Sequence, residues 1–137
     1  MQSANQQKLF KRLGRIVKQS KSALQTGRVF HMAFAIQKSC IIAVGYNQYD
    51  KTSPSTAHYT KENSADYTAG IHAESDLIGK LKRLEIDPSK VKILVIRADN
   101  RNKLVLSKPC SNCAHQLGLH QYKQVWYSVS NEDFELL

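Results

Sequence analysis

Val91-Lys92-Ile93-Leu94-Val95-Ile96-Arg97-Ala98 is the stretch on which the fold turns. It is a nearly continuous run of β-forming apolar residues, which predicts a central strand buried on both faces. Upstream of it, Ile71, Leu77, Ile78, Leu81 and Leu84 mark a helix that starts near His72 and closes before Asp87-Pro88. Downstream, Asp99-Asn100-Arg101-Asn102 turns the chain, a further helix runs from around Cys110 to about Leu119, and Val125 to Val129 forms another strand. Asn131-Glu132-Asp133 then turns into a short last strand, Phe134 to Leu137. Toward the N-terminus, Val29 to Ile36 and Cys40 to Tyr46 flank Gln37-Lys38-Ser39 and read as an antiparallel hairpin.

The chain opens on a helix. Ser3 and Gln6 form a capping box, and Leu9, Leu13, Ile16 and Val17 recur at helical spacing. Lys8, Lys11, Arg12, Arg15 and Lys18 fall on the opposite side, as a solvated face or as one that meets phosphates. Gly27 ends this region. Asn47 to Gly70 is polar, contains Pro54 and has no periodicity; a loop this long in a compact domain is more often functional than idle. Helices alternating with strands after an initial hairpin predict an α/β fold, a mixed sheet of about five strands with helices packed on it. One domain over residues 1–137 accommodates all of it.

The chain's 42% hydrophobic residues and 23% charged residues describe an ordinary globular protein, and no apolar run approaches membrane-spanning length. Met1 to Asn5 lacks the basic-then-apolar order of a secretory signal. Three cysteines, two of them in C-x-x-C, point to metal binding in a reducing compartment such as the cytoplasm, not to a disulfide framework. The net charge of +9 is unusual; it either concentrates anionic ligands or serves solubility alone.

Two short motifs carry chemistry: His72-Ala73-Glu74 and Pro109-Cys110-Ser111-Asn112-Cys113. Both fall at predicted helix N-termini, whose partial positive charge and free N–H groups favour thiolates. His72, Cys110 and Cys113 then offer one nitrogen and two sulfurs to a zinc ion, leaving a fourth position for water, which is the catalytic arrangement. Glu74 lies close enough to exchange protons with that water without filling the coordination sphere. Competing readings of the cysteines are a redox pair, a structural zinc site completed by His115 or His120, and packed structural thiols. Cys40 and His31 sit in apolar strands, Cys40 reading as a core residue and His31 as structural, and His58 reads as an exposed loop residue.

With these motifs the chain resembles the cytidine deaminase superfamily over roughly residues 29–130. The resemblance implies a three-layer α/β/α fold, zinc, and hydrolytic deamination of cytosine to uracil. Gly45-Tyr46-Asn47 resembles the G-x-N of the deoxycytidylate branch, which implies a sugar contact by Asn47. Ser107-Lys108-Pro109-Cys110 resembles a form found in small viral and phage members. The resemblance further implies that the Lys108 carbonyl receives the exocyclic amine and the Ala73 N–H binds the base carbonyl. Departures from the branch are Lys108 where Ser is usual, no extra zinc ligands between Asn47 and His72, and a last strand whose hairpin from Tyr127 to Leu137 makes it antiparallel, as in free-cytidine members. Tyr127, ending its strand, is a candidate to stack on the base.

Three functions follow as expectations. The first is deamination of a small nucleotide or nucleoside, deoxycytidylate favoured. The second is deamination of single-stranded DNA or RNA, motivated by the charge and by Tyr46, Tyr49, Tyr59 and Tyr67. The third is a non-catalytic zinc-stabilised module that binds nucleic acid. Family resemblance also implies a homo-oligomer.

Overall fold

A computed structural model describes residues 3–23, 30–47 and 72–137; Gly27, Val29, His58 and the segment 48–71 lie outside them. The elements are α1 (Ala4–Ala23), β1 (Phe30–Gln37), β2 (Cys40–Tyr46), α2 (Ala73–Arg83), β3 (Lys92–Ala98), β4 (Leu104–Val105), α3 (Ser111–Leu119), β5 (Gln124–Ser128) and β6 (Phe134–Leu136). The strands form one mixed sheet in the order β2-β1-β3-β5-β6, with β4 added to β3. Only the β3–β5 pairing is parallel; the other pairs run antiparallel.

The expected central strand is central, with Ile93, Leu94, Val95 and Ile96 all fully buried. Alternate residues of the strands point to opposite faces. On one face Met32, Phe34, Ile36, Leu94 and Ile96 pack against Phe10, Leu13 and Val17 of α1. On the other, Ala33, Ala35, Ile93, Val95 and Val125 meet Leu77, Ile78 and Leu81 of α2 and Leu117 of α3. The sheet thus separates α1 from α2 and α3. Bulky strand residues face α1, while the small Ala33 and Ala35 let α2 lie close.

Gly45 continues that close approach. A Cβ built there would stand 2.3 Å from the Ala73 carbonyl oxygen and 2.7 Å from the Leu77 nitrogen, so only glycine lets the first turns of α2 rest on β2. The polar flank of the same helix covers the open edge of β2. Asp76 Oδ2 accepts from the Tyr46 N–H at 3.0 Å, and Lys80 Nζ donates to the Val44 carbonyl at 2.8 Å. A 3.1 Å ion pair joins Asp76 and Lys80, so outward-facing strand groups are paired without another strand.

Three details depart from the sequence expectation. The sheet has six strands because Leu104–Val105 pairs with Arg97 and Ala98, a ladder too short to carry a periodic signal. The hairpin closes on Lys38 and Ser39, both left-handed at φ 52° and 64°, although neither is the glycine or asparagine that such a turn favours. Cys40, expected in the core, is exposed. It is the first residue after that turn, on the outermost strand, where burial begins only beyond Ile41. The last strand is antiparallel, since the link from Ser128 to Phe134 is far too short for a parallel crossover.

Candidate metal centre

His72 and Cys110 occupy equivalent places: each is the N-cap of its helix, α2 or α3, in extended backbone. Their carbonyls start the helices, accepting from Asp76 N at 3.0 Å and Ala114 N at 2.9 Å. Neither side chain caps its own helix, so both are left to project elsewhere. Cys113 lies one turn into α3 and is buried.

The nitrogen and the two sulfurs lie within 4.8 Å of one another. His72 Nδ1 is 3.1 Å from Cys113 Sγ and 3.5 Å from Cys110 Sγ. Ordinary zinc bond lengths at tetrahedral angles separate a nitrogen from a sulfur ligand by about 3.5 Å, so this donor set fits zinc in spacing as well as in softness. Among the described residues this is the group able to hold a metal, and neither His115 nor His120 belongs to it.

Burial shapes the charges here. Glu74, on the first turn of α2, has its carboxyl raised above the usual range by burial, against the opposing pull of its own backbone N–H and of His72. Cys110 is pulled down to about 4, chiefly by the hydrogen bond from Cys113 and, against the cost of burial, by one from His72. Cys113 moves the other way, raised by the bond to Cys110, by burial and by Glu74. The two thiols are thus driven in opposite directions, Cys110 toward the thiolate and Cys113 toward the protonated form.

Two serines fix the approach to Cys110. Ser107 Oγ donates to the Val95 carbonyl at 2.7 Å and accepts from the Ser128 N–H at 2.8 Å, while the Ser107 N–H donates to the Ser128 carbonyl at 2.9 Å. Ser128 Oγ reaches the Val105 carbonyl at 2.7 Å. Both serines are buried, so these bonds tie the segment leading to Cys110 to β3 and β5.

The remaining sequence candidates are placed as follows. Asn47, just past β2, accepts from the His31 N–H through Oδ1 at 2.9 Å, which leaves its amide NH2 as the group to offer a ligand. Ala73 is buried at the first position of α2, where a helix N–H has no partner within the helix. Lys108 is exposed between β4 and α3. Tyr127 is buried, and its hydroxyl donates to Glu135 Oε2 at 3.1 Å across the β5–β6 pair.

Sequence reasoning passed over Arg97 and gave His31 a structural part only. The two stand opposite each other on β1 and β3, and strand alternation puts them on the α2 side of the sheet. His31 is held down to about 4 by burial first, then by the charges of Arg97 and His72. Arg97 Nε is buried and has no hydrogen-bond partner among the described residues. A lone arginine sharing a face with Ile93 and Val95 is the signal that could have found it.

The chain has no significant match to models of known protein families, to curated proteins or to solved structures. Among the described residues no helix is long and apolar enough to cross a membrane.

Proposed function

We propose that the chain is a zinc-dependent hydrolase that deaminates the cytosine of a small nucleotide or nucleoside to uracil, on a three-layer α/β/α deaminase-like fold. The observation that carries this reading is the convergence of His72, Cys110 and Cys113 from two helix N-termini beside the buried Glu74. Zinc held by those three would supply an activated water. Glu74 would act as a carboxylate that takes the first proton of the water and hands it to the ring nitrogen, then carries the second, from the added hydroxyl, to the amino group that leaves as ammonia; burial raises its affinity for the proton it carries. The Ala73 N–H and the Lys108 carbonyl orient the base, and the Asn47 amide meets the sugar. The free thiols suit a reducing compartment such as the cytoplasm.

Two observations pull toward different substrates. The buried Nε of Arg97, which has no partner among the described residues, suits an anionic group and favours a nucleotide such as deoxycytidylate. The antiparallel β6 favours a free nucleoside instead, because that is the arrangement the resemblance attaches to free-cytidine deaminases. A polynucleotide substrate draws less support, since the most basic helix, α1, lies on the sheet face away from Glu74.

Incubation of the zinc-loaded protein with cytidine, deoxycytidine, CMP, dCMP and single-stranded oligonucleotides, following loss of cytosine, tests the reading. Turnover of monomers is expected, with Glu74→Gln retaining zinc but losing at least about a hundredfold in rate, and Cys110→Ala losing zinc and activity together. Turnover of oligomers alone, or full activity in Glu74→Gln, would sink it.

A further inference from the structure

Helix α1 carries six cationic residues and no acidic one, in a chain whose net charge is +9. Its apolar side is already used: Phe10, Leu13 and Val17 are fully buried against the sheet, and Leu9 and Ile16 pack on the same cluster. The opposite side exposes Lys8, Lys11, Arg12 and Arg15. None of these four has an ion-pair partner among the described residues. Together with Asn5 and Ser39 they line a shallow depression of about 590 Å³. A second depression of about 360 Å³ shares Asn5, Leu9 and Ser39 with it and adds Lys38, Lys90 and Lys92. Among the described residues no Asp or Glu lines either one. The result is one groove running from α1 past the β1–β2 turn to the start of β3.

We propose that this groove, formed by Lys8, Lys11, Arg12 and Arg15 of α1 with Lys38 and Lys90 beside them, docks the phosphate backbone of a nucleic acid. Charge complementarity calls for a polyanion. A bilayer is the poorer fit, because membrane-surface helices insert apolar residues and none of the exposed large hydrophobic residues lies on α1. Among the described residues the groove has no exposed aromatic ring on which a base could stack, so those residues meet phosphates and do not read sequence. Since the sheet stands between α1 and the metal centre, the docked strand is not the substrate. Docking is therefore independent of the proposed deamination and survives its failure.

Fluorescence anisotropy of a labelled mixed-sequence single strand, titrated with the full chain over a salt series, tests the proposal. Wild type should bind at low salt, with affinity falling steeply as salt rises. Replacing Lys8, Lys11, Arg12 and Arg15 together by Gln removes four phosphate contacts, which lowers the log–log salt slope by roughly 3 and weakens binding about tenfold or more near 100 mM salt. The charge-keeping exchange (Lys8→Arg, Lys11→Arg, Arg12→Lys, Arg15→Lys) should bind like wild type. Lys38→Gln with Lys90→Gln, on other elements, should lower the slope by roughly 1.4. Unchanged melting temperature and zinc content in the Gln variants would show that only docking was lost. The proposal is overturned if wild type fails to bind at low salt, if the Gln variants keep its affinity and slope, or if phosphatidylserine vesicles are bound and oligonucleotides are not.

Discussion

Gly45 is the residue at which fold and site are joined most tightly, because the missing Cβ is what lets α2 deliver His72 and Glu74. The atoms a side chain would strike, the Ala73 carbonyl oxygen and the Leu77 nitrogen, are backbone and cannot swing aside. Gly45→Ala should therefore cost about 1–3 kcal/mol and lower zinc content, read by urea unfolding and metal analysis. Gly79→Ala on the same helix is the control: its Cβ would meet only the flexible end of Arg83 at 3.8 Å, and it should gain up to about 1 kcal/mol. Equal losses in both variants would dissolve the argument. His31 gives a pH dependence. Burial, with Arg97 and His72, lowers it from 6.5 to about 4, so on acidification the unfolded chain takes up a proton that the folded chain refuses. Its contribution is complete above 6.5 and is lost as pH falls through about 4. His31→Gln should accordingly show a shallower stability decline across that window, and parallel profiles would refute this role. His72, Cys110 and Cys113 were legible in the sequence because their chemistry lies in residue identity and short spacing. Arg97 was not, because its meaning depends on which strand residue stands opposite it.

At the scale of elements, legibility followed length. Among the described residues α1, α2 and the strands of five residues or more show a periodic or apolar signal in the sequence. The two-residue β4 has none; its place is set by contacts distant in sequence, the Leu104 N–H donating to Asn131 Oδ1 at 2.9 Å and Ser128 Oγ reaching Val105. The β1–β2 turn is the opposite case. The flanking strands dictate a hairpin, and the pairing then forces Lys38 and Ser39 into left-handed backbone that L-residues adopt at a cost. Ser39→Gly removes part of that cost and should stabilise the protein by about 1 kcal/mol, seen as a melting temperature higher by a few degrees. A lower melting temperature would show that the Ser39 side chain contributes more than its backbone strain costs.

For the whole molecule, the sheet divides labour: α1 and its basic groove on one side, α2, α3 and the candidate metal centre on the other. Net charge alone does not reveal this separation, because composition carries no address and only the alternation of β1 and β3 assigns each helix its face. The division has a consequence for metal removal. Metal would bind only where His72, Cys110 and Cys113 are assembled, so it would stabilise the folded state by about 2.7 kcal/mol at a hundredfold excess over its dissociation constant. Its loss should be felt first at the two helix N-termini that carry His72 and Cys110. The cluster of Phe10, Leu13, Phe34 and Leu94 lies across the sheet and does not depend on those ligands. Chelation should therefore lower the melting temperature and speed amide exchange at Ala73–Leu77 and Ser111–Ala114, while the amides of α1 keep their protection. Exchange that rises equally in all three helices would mean that the metal supports the fold as a whole, and a chelator without effect would remove the metal from the account altogether.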